Sequence, residues 1–217
     1  MAVKSEPTAN GHTRSILESS SLSRLYVADF IAPVDVIRVL NAAAVKYVLV
    51  GAHSIGGWTH EPRATKDVDV IASKRDVKKA VTALTAAFPH LECDDQSVVV
   101  RLRIRDTREV AIDVMRPIEP VIAAALKNSI PAAIGRHKFR VPGVEMALAL
   151  KFAPMVSLYR PDDKKLIDAA DFIRIVRRNA DLDLEKLSAL GELVYPGGGT
   201  EIREMVRRVR AGEKLLL

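Results

Sequence analysis

A single cysteine, Cys93, in a chain of 217 residues cannot close an internal disulfide, so nothing points to an oxidising compartment. No apolar run approaches the roughly 20 residues that a membrane-spanning helix needs. The N-terminal residues also lack the apolar core of a secretion signal. These absences together predict a cytoplasmic protein with no membrane partner. What the chain does have is a surplus of positive charge. Its 33 Lys and Arg against 27 Asp and Glu give a formal charge of +6 and a pI near 9.5, which favours polyanionic partners such as nucleotides and nucleic acid. Hydrophobic and charged fractions of 48% and 28% are those of an ordinary globular protein, long enough for a real core.

The stretch from Tyr47 to Ala72 organises the rest. It reads as a buried strand over Tyr47 to Val50, a small-residue turn Gly51-Ala52-His53-Ser54 opening a helix, a basic loop, and a strand carrying Asp67-Val68-Asp69. Side chains alternate across a strand, so both carboxylates project from one face while Val68 and Val70 turn to the core. Close like charges repel, and a divalent metal is the usual remedy. Mg²⁺ takes carboxylate oxygens together with substrate phosphates, so the pair beside a phosphate-binding turn suggests metal-assisted phosphoryl or nucleotidyl transfer. The alternative for Asp-x-Asp alone is a solvated strand end. Gly51 permits close backbone approach to a ligand, and the free amides at the helix start form an anion site.

Residues 1–25, rich in Ser, Thr, Gly and Asn, are expected to form a mobile tail; a mixed sheet-and-helix core over 26–141 and a helical region over 142–217 follow. Helices are expected from Pro33, with Val36, Ile37, Leu40 and Ala44 on one face, over Lys74 to Phe88, and over Ile118 to Asn128. Strands are expected over Ser97 to Ile104, Glu109 to Val114 and His137 to Val141. In the second of these, alternation sets Asp113 on the face opposite Val110, Ile112 and Val114, available to join Asp67 and Asp69. Beyond Pro142-Gly143 the pattern is helical: Val144 to Tyr159, Asp162 to Arg178, Leu184 to Leu193 and Thr200 to Ala211, the last preceded by a turn at Pro196 to Gly199. Lys151 sits among apolar neighbours and either snorkels to solvent or meets an anion; Asp168 and Asp171 share a helical face and can receive it or Arg160. A salt bridge between two helices accounts for this trio without any catalytic role.

A strand, a glycine turn, roughly a dozen residues, Asp-x-Asp and a later acid on another strand resemble the signature of the nucleotidyltransferase superfold. Ala52 departs from the usual Gly or Ser, which removes a hydroxyl but leaves the backbone amides, with His53 and Ser54 as substitutes. Within that superfold the chain is most similar to the AbiEii-type nucleotidyltransferases, which include toxins of toxin–antitoxin pairs. Pro62-Arg63-Ala64-Thr65-Lys66-Asp67-Val68-Asp69 and the segment with Lys151, Arg160, Asp168 and Asp171 carry that similarity over roughly 45–175. The resemblance implies an α+β fold, a mixed sheet flanked by helices and followed by a helical C-terminal part.

It also implies that Asp67, Asp69 and Asp113 hold Mg²⁺, two ions in all, against a nucleoside triphosphate, with Asp113 orienting or deprotonating the acceptor hydroxyl. Lys151 and Asp168 join the catalytic set, and Arg63, Thr65, Lys66 and the Gly51 turn serve the nucleotide. The implied acceptor is tRNA or another RNA, and a toxin would have a cognate antitoxin. Arg101, Arg103, Arg105 and the Arg203, Arg207, Arg208 and Arg210 cluster are candidates for the RNA backbone, the last helix foremost. His53 has a structural alternative beside its functional one, and Trp58 fits the core better than a base-stacking platform. Two other readings stay open: transfer of AMP to a protein or of a nucleotide to a small molecule such as an antibiotic, and a catalytically idle member of the fold that binds nucleotide, RNA or a partner protein.

Overall fold

The strand Tyr47–Leu49 (β1) is buried along its whole length, as its unbroken apolar run requires. The computed structural model to which it belongs describes residues 30–61 and 64–215. The expected tail over 1–25 and the side chain of Arg63 lie outside the described residues. β1 lies antiparallel to Val68–Ala72 (β2), with Leu49 opposite Val70. β2 in turn lies parallel to Val110–Met115 (β5). Val99–Ile104 (β4) and Leu91–Asp95 (β3) complete a five-stranded mixed sheet of order β1-β2-β5-β4-β3. A parallel pair cannot be joined by a hairpin. The crossover from β2 to β5 therefore runs through a helix, Val77–Ala87 (α3), and the β3–β4 pair.

Alternation along the strands divides the core in two. Leu49, Val68, Val70, Leu102, Ile112 and Val114 pack on one face against α3 and the helix Pro33–Ala42 (α1). Val48, Val50, Ile71 and Met115 turn to the other face, where the helices Gly51–Thr59 (α2), Pro120–Ala125 (α4), Val144–Val156 (α5), Asp162–Arg178 (α6), Leu184–Glu192 (α7) and Gly198–Ala211 (α8) gather around Phe152 and Phe172. α5 is apolar nearly all round and correspondingly buried, with Met146, Ala147, Leu148, Ala149 and Phe152 all in the core. A separate hairpin, Ser129–Ile134 (β6) with His137–Pro142 (β7), packs beside β1.

The expected α+β architecture is thus present, with differences in detail. β3 and β6 stand where the sequence pattern predicts no strand. The helix expected over Ile118 to Asn128 is confined to Pro120–Ala125. Ala44 falls beyond the end of α1 at φ 48°, not on its buried face. Gly198 and Gly199 form the first turn of α8, and the turn before it is Pro196 with Gly197, the latter at φ 96°.

Candidate active site

On the second face of the sheet, apolar side chains give way to charge one step from the helical core. Ile71 and Met115 lie against that core. Two residues earlier on each strand, Asp69 stands directly opposite Asp113 in the parallel register. Neighbouring strands are about 4.8 Å apart, and the two side chains share a face. The row continues outward, with Asp113 opposite Arg101 on β4 and Arg101 opposite Asp94 on β3. Asp69, Asp113, Arg101 and Asp94 therefore form a line of charge across the sheet. Asp67, just before β2, is two residues from Asp69 and so on the same side.

Gly51 closes the inner end of this line. Val50 N donates to Asp69 O at 2.9 Å, which extends the β1–β2 ladder to the first residue before α2. Gly51 then turns the chain at φ 65°, a conformation that favours glycine. A Cβ built on it would stand 1.9 Å from Asp69 Oδ2. The carboxylate thus lies in the space that the missing side chain leaves. Val50, in the capping position of α2, has no side-chain acceptor to satisfy the first amides of the helix. Such an N-terminus attracts anions. Ala52 is buried, and Ser54 turns its hydroxyl back to Gly51 O at 2.9 Å, so in this arrangement the turn's anion-binding capacity lies in its backbone. His53 is partly buried on the same turn.

The carboxylates differ in their surroundings. Asp67 accepts a hydrogen bond from Thr65 Oγ1. Asp113 Oδ1 is sealed from solvent and receives no hydrogen bond among the described residues. The nearest described cation, Arg101 Nε, is 3.6 Å away, an ion pair longer than a hydrogen bond. Burial pushes the Asp113 carboxyl above its usual range; Arg101 opposes this, and the negative charge of Asp67 adds to it. Among the described residues no group of three or more His, Cys, Asp or Glu side chains is gathered closely enough to hold a metal ion. In kind the donors still suit a hard divalent cation, being carboxylate oxygens with one buried oxygen that lacks a donor.

Lys151 and Asp168 belong to a network between α5 and α6. Lys151 Nζ lies 3.0 Å from Asp168 Oδ1 and 2.8 Å from Asp171 Oδ2, and all three residues are buried. Arg160 holds the other oxygen of Asp168 at 2.9 Å, and Arg174 is 3.6 Å from Asp171. Lys151 therefore meets anions and does not snorkel. The pairing is the helix-to-helix salt bridge that accounts for the trio without catalysis. α6 also packs against α2, the helix that Gly51 opens, with Asn179 donating to Trp58 O at 2.9 Å near that helix's C-terminal end. Lys66 is exposed and pairs with Glu109 at 2.8 Å. Trp58 donates to Pro142 O at 3.1 Å and packs on the core.

Two members of the charged line have no local signal in the sequence. Alternation marks Arg101 and Arg103 as sharing a face, but only the register shows that Arg101 faces Asp113. Asp94 carries no signal, because β3 has just one buried position, Leu91.

No protein-family model matches the chain, and no curated protein matches it. Among solved structures it is similar to an antigenic nucleotidyltransferase-like protein from Paracoccidioides brasiliensis, 18% identical, covering 82% of this chain and 90% of that chain, with a TM-score of 0.49. It is also similar to ANT(2")-Ia in complex with adenylyl-2"-tobramycin, 14% identical, covering 78% of this chain and 93% of that chain, with a TM-score of 0.49. JHP933 from Helicobacter pylori is 14% identical, covering 92% of this chain and 94% of that chain, with a TM-score of 0.47. These are likenesses of overall architecture; what the residues can do follows from their own geometry.

Proposed function

We propose that the chain is a Mg²⁺-dependent nucleotidyltransferase that moves a nucleoside monophosphate from a triphosphate to an acceptor hydroxyl, with RNA as the acceptor. The observation that carries this reading is the register of Asp69 against Asp113 beside the glycine-opened end of α2. The amides of Gly51, Ala52 and His53 bind triphosphate oxygens. Asp67, Asp69 and Asp113 would hold Mg²⁺. When bound, the ion supplies the positive charge that offsets both the triphosphate and the mutual repulsion of the acids.

The acceptor oxygen forms a bond to the α-phosphorus, the bond to pyrophosphate breaks, and Asp113 takes the hydroxyl proton. Thr65 orients Asp67 through their hydrogen bond. Lys151, whose ammonium is paired with Asp168 and Asp171, would have to exchange those partners to meet triphosphate charge. In its finer form this is a tRNA-modifying toxin of the AbiEii type with a cognate antitoxin.

Incubation with each α-labelled NTP, Mg²⁺ and total RNA, beside an Asp69→Asn control, tests the reading. Label in RNA that disappears in the variant supports it. Label in the protein itself or in an added aminoglycoside moves the acceptor to another class. No label anywhere, with nucleotide still bound, makes the chain an idle member of the fold. Growth arrest on induction, absent in Asp69→Asn, tests the toxin form.

A further inference from the structure

The arginines of α8 are already engaged. Arg203 pairs with Glu185 at 3.2 Å, Arg207 with Glu204 and Glu213 at 2.7 and 2.9 Å, and Arg208 with Glu204 at 3.0 Å; Arg210 donates to Ala180 O at 2.7 Å. The opposite holds where β2 leaves the sheet. Ser73 N donates to Lys46 O at 2.8 Å, and Lys46 N donates to Asp76 Oδ2 at 3.2 Å. Lys79 Nζ reaches Ala44 O at 2.7 Å and stands 3.5 Å from Asp76 Oδ1. From α1, Asn41 donates to Lys138 O at 2.8 Å and accepts from Tyr47, which brings the β6–β7 hairpin alongside.

These bonds draw Lys46, Lys74, Arg75, Lys78, Lys79 and Lys138 to one end of the fold, all of them exposed. Asp76 is the acid bonded among them, and its carboxylate is held by Ser73 Oγ at 2.6 Å. Among the described residues Lys74, Arg75 and Lys78 form no ion pair. Arg75, Lys78 and Lys79 line a shallow groove along the outer side of α3 with Thr82, Ala83 and Ala86.

We propose that this basic end is a docking surface for the phosphodiester backbone of a nucleic acid. The charges of Lys74, Arg75 and Lys78 are uncompensated, and unpaired cations release the counterions of a polyanion without first breaking internal pairs. No large apolar side chain is exposed on α3, so the groove has nothing to insert into a bilayer. The surface also lies away from the acid line. β2 carries the chain about 13 Å from Asp69 to Ser73 at its usual rise per residue, and α3 covers the face of the sheet opposite the carboxylates. A small acceptor seated at Asp113 has no use for it, whereas a polymer with phosphates along its length reaches both. This inference rests on the transfer reading only for the acceptor's role; the docking itself is measured separately.

The test is a titration of the full chain with labelled tRNA and with duplex DNA of matched length, from low to physiological salt. The variants are Lys74→Glu/Arg75→Glu/Lys78→Glu and a charge-matched control, Lys127→Glu/Lys165→Glu/Lys214→Glu. The first triple is expected to weaken binding by about tenfold or more and to lower the salt slope by about 2–3, one unit for each phosphate that is no longer neutralised, while the control stays within about twofold. A preference between the two polymers identifies the source of the phosphates. Equal losses in both triples, wild-type binding by the first triple, or no binding of either polymer by the wild type would overturn the proposal. Asp69→Asn, expected to lose transfer, is expected to keep the salt slope of the wild type. If the wild type transfers no label yet its binding follows the triple, the catalytic reading fails and the docking surface stands.

Discussion

Replacing Gly51 with alanine puts one methyl group where the structure has room for none. The new Cβ would stand 1.9 Å from Asp69 Oδ2, 2.8 Å from its Cγ and 3.1 Å from its Cβ, contacts that no packed side chain tolerates. Asp69 is short, so its carboxylate must leave its present place. Two costs follow. The left-handed backbone at φ 65° costs an L-residue about 1–2 kcal/mol. Forcing Asp69 off its rotamer adds about 1 kcal/mol. The sum of about 2–3 kcal/mol corresponds to a fall in Tm of roughly 4–12 °C for a chain of this size. Gly56→Ala, in the same helix, is the internal control. Its Cβ meets nothing within 4 Å, so it is expected to be neutral or stabilising by up to about 1 kcal/mol. Thermal unfolding of the two variants gives the stability difference, and NTP transfer well below Tm gives the functional one. Gly51→Ala is expected to lose about 100-fold or more in transfer, while Gly56→Ala keeps wild-type activity. A Gly51→Ala protein as stable and active as the wild type would show that the Asp69 carboxylate does not occupy the glycine's space.

Lys151→Met leaves Asp168 and Asp171 buried with a cation missing and is expected to cost about 3–5 kcal/mol in urea denaturation. Gly191→Ala would press its Cβ to 2.6 Å from Ile202 Cγ2 and 2.7 Å from Gly198 O, where α7 meets α8. A loss of about 1–3 kcal/mol is expected, with transfer per folded molecule unchanged. Asp76 is held below the usual carboxylate range by its bond from Ser73 Oγ, with the Lys46 amide and Lys79 assisting. A depressed folded pKa contributes stability above the unfolded value near 4 and loses it as pH falls through the folded value. The Tm gap between wild type and Asp76→Asn is therefore expected at pH 7 and should close at pH values below the normal carboxylate range.

Much of the site could be read from local pattern. Alternation in Asp67-Val68-Asp69 and in the strand around Asp113 turns Val68, Val70, Ile112 and Val114 to one core and the acids to the other side, but it fails at the start of β5, where a register shift buries Ala111 in that core and leaves Val110 half-buried. Long-range pairing had no such signal. Nothing local says that Asp69 lies opposite Asp113 or that Asp113 lies opposite Arg101, because register is decided by packing between distant segments. β3 is not legible because a polar edge strand with only Leu91 buried has no periodicity to read. β6 is not legible for a related reason, being mostly exposed and containing Pro131. Gly51 was legible as a place of close approach, but the group that approaches in this structure is the protein's own carboxylate.

The most direct test of the central claim is a double-mutant comparison of label transfer by Asp69→Asn, Asp113→Asn and the two combined. Acids that serve one reacting centre fail as a unit. Each single variant is expected to lose about 1,000-fold or more, and the double no more than either alone. Retention of transfer by either single variant, or losses that multiply in the double, would contradict the account.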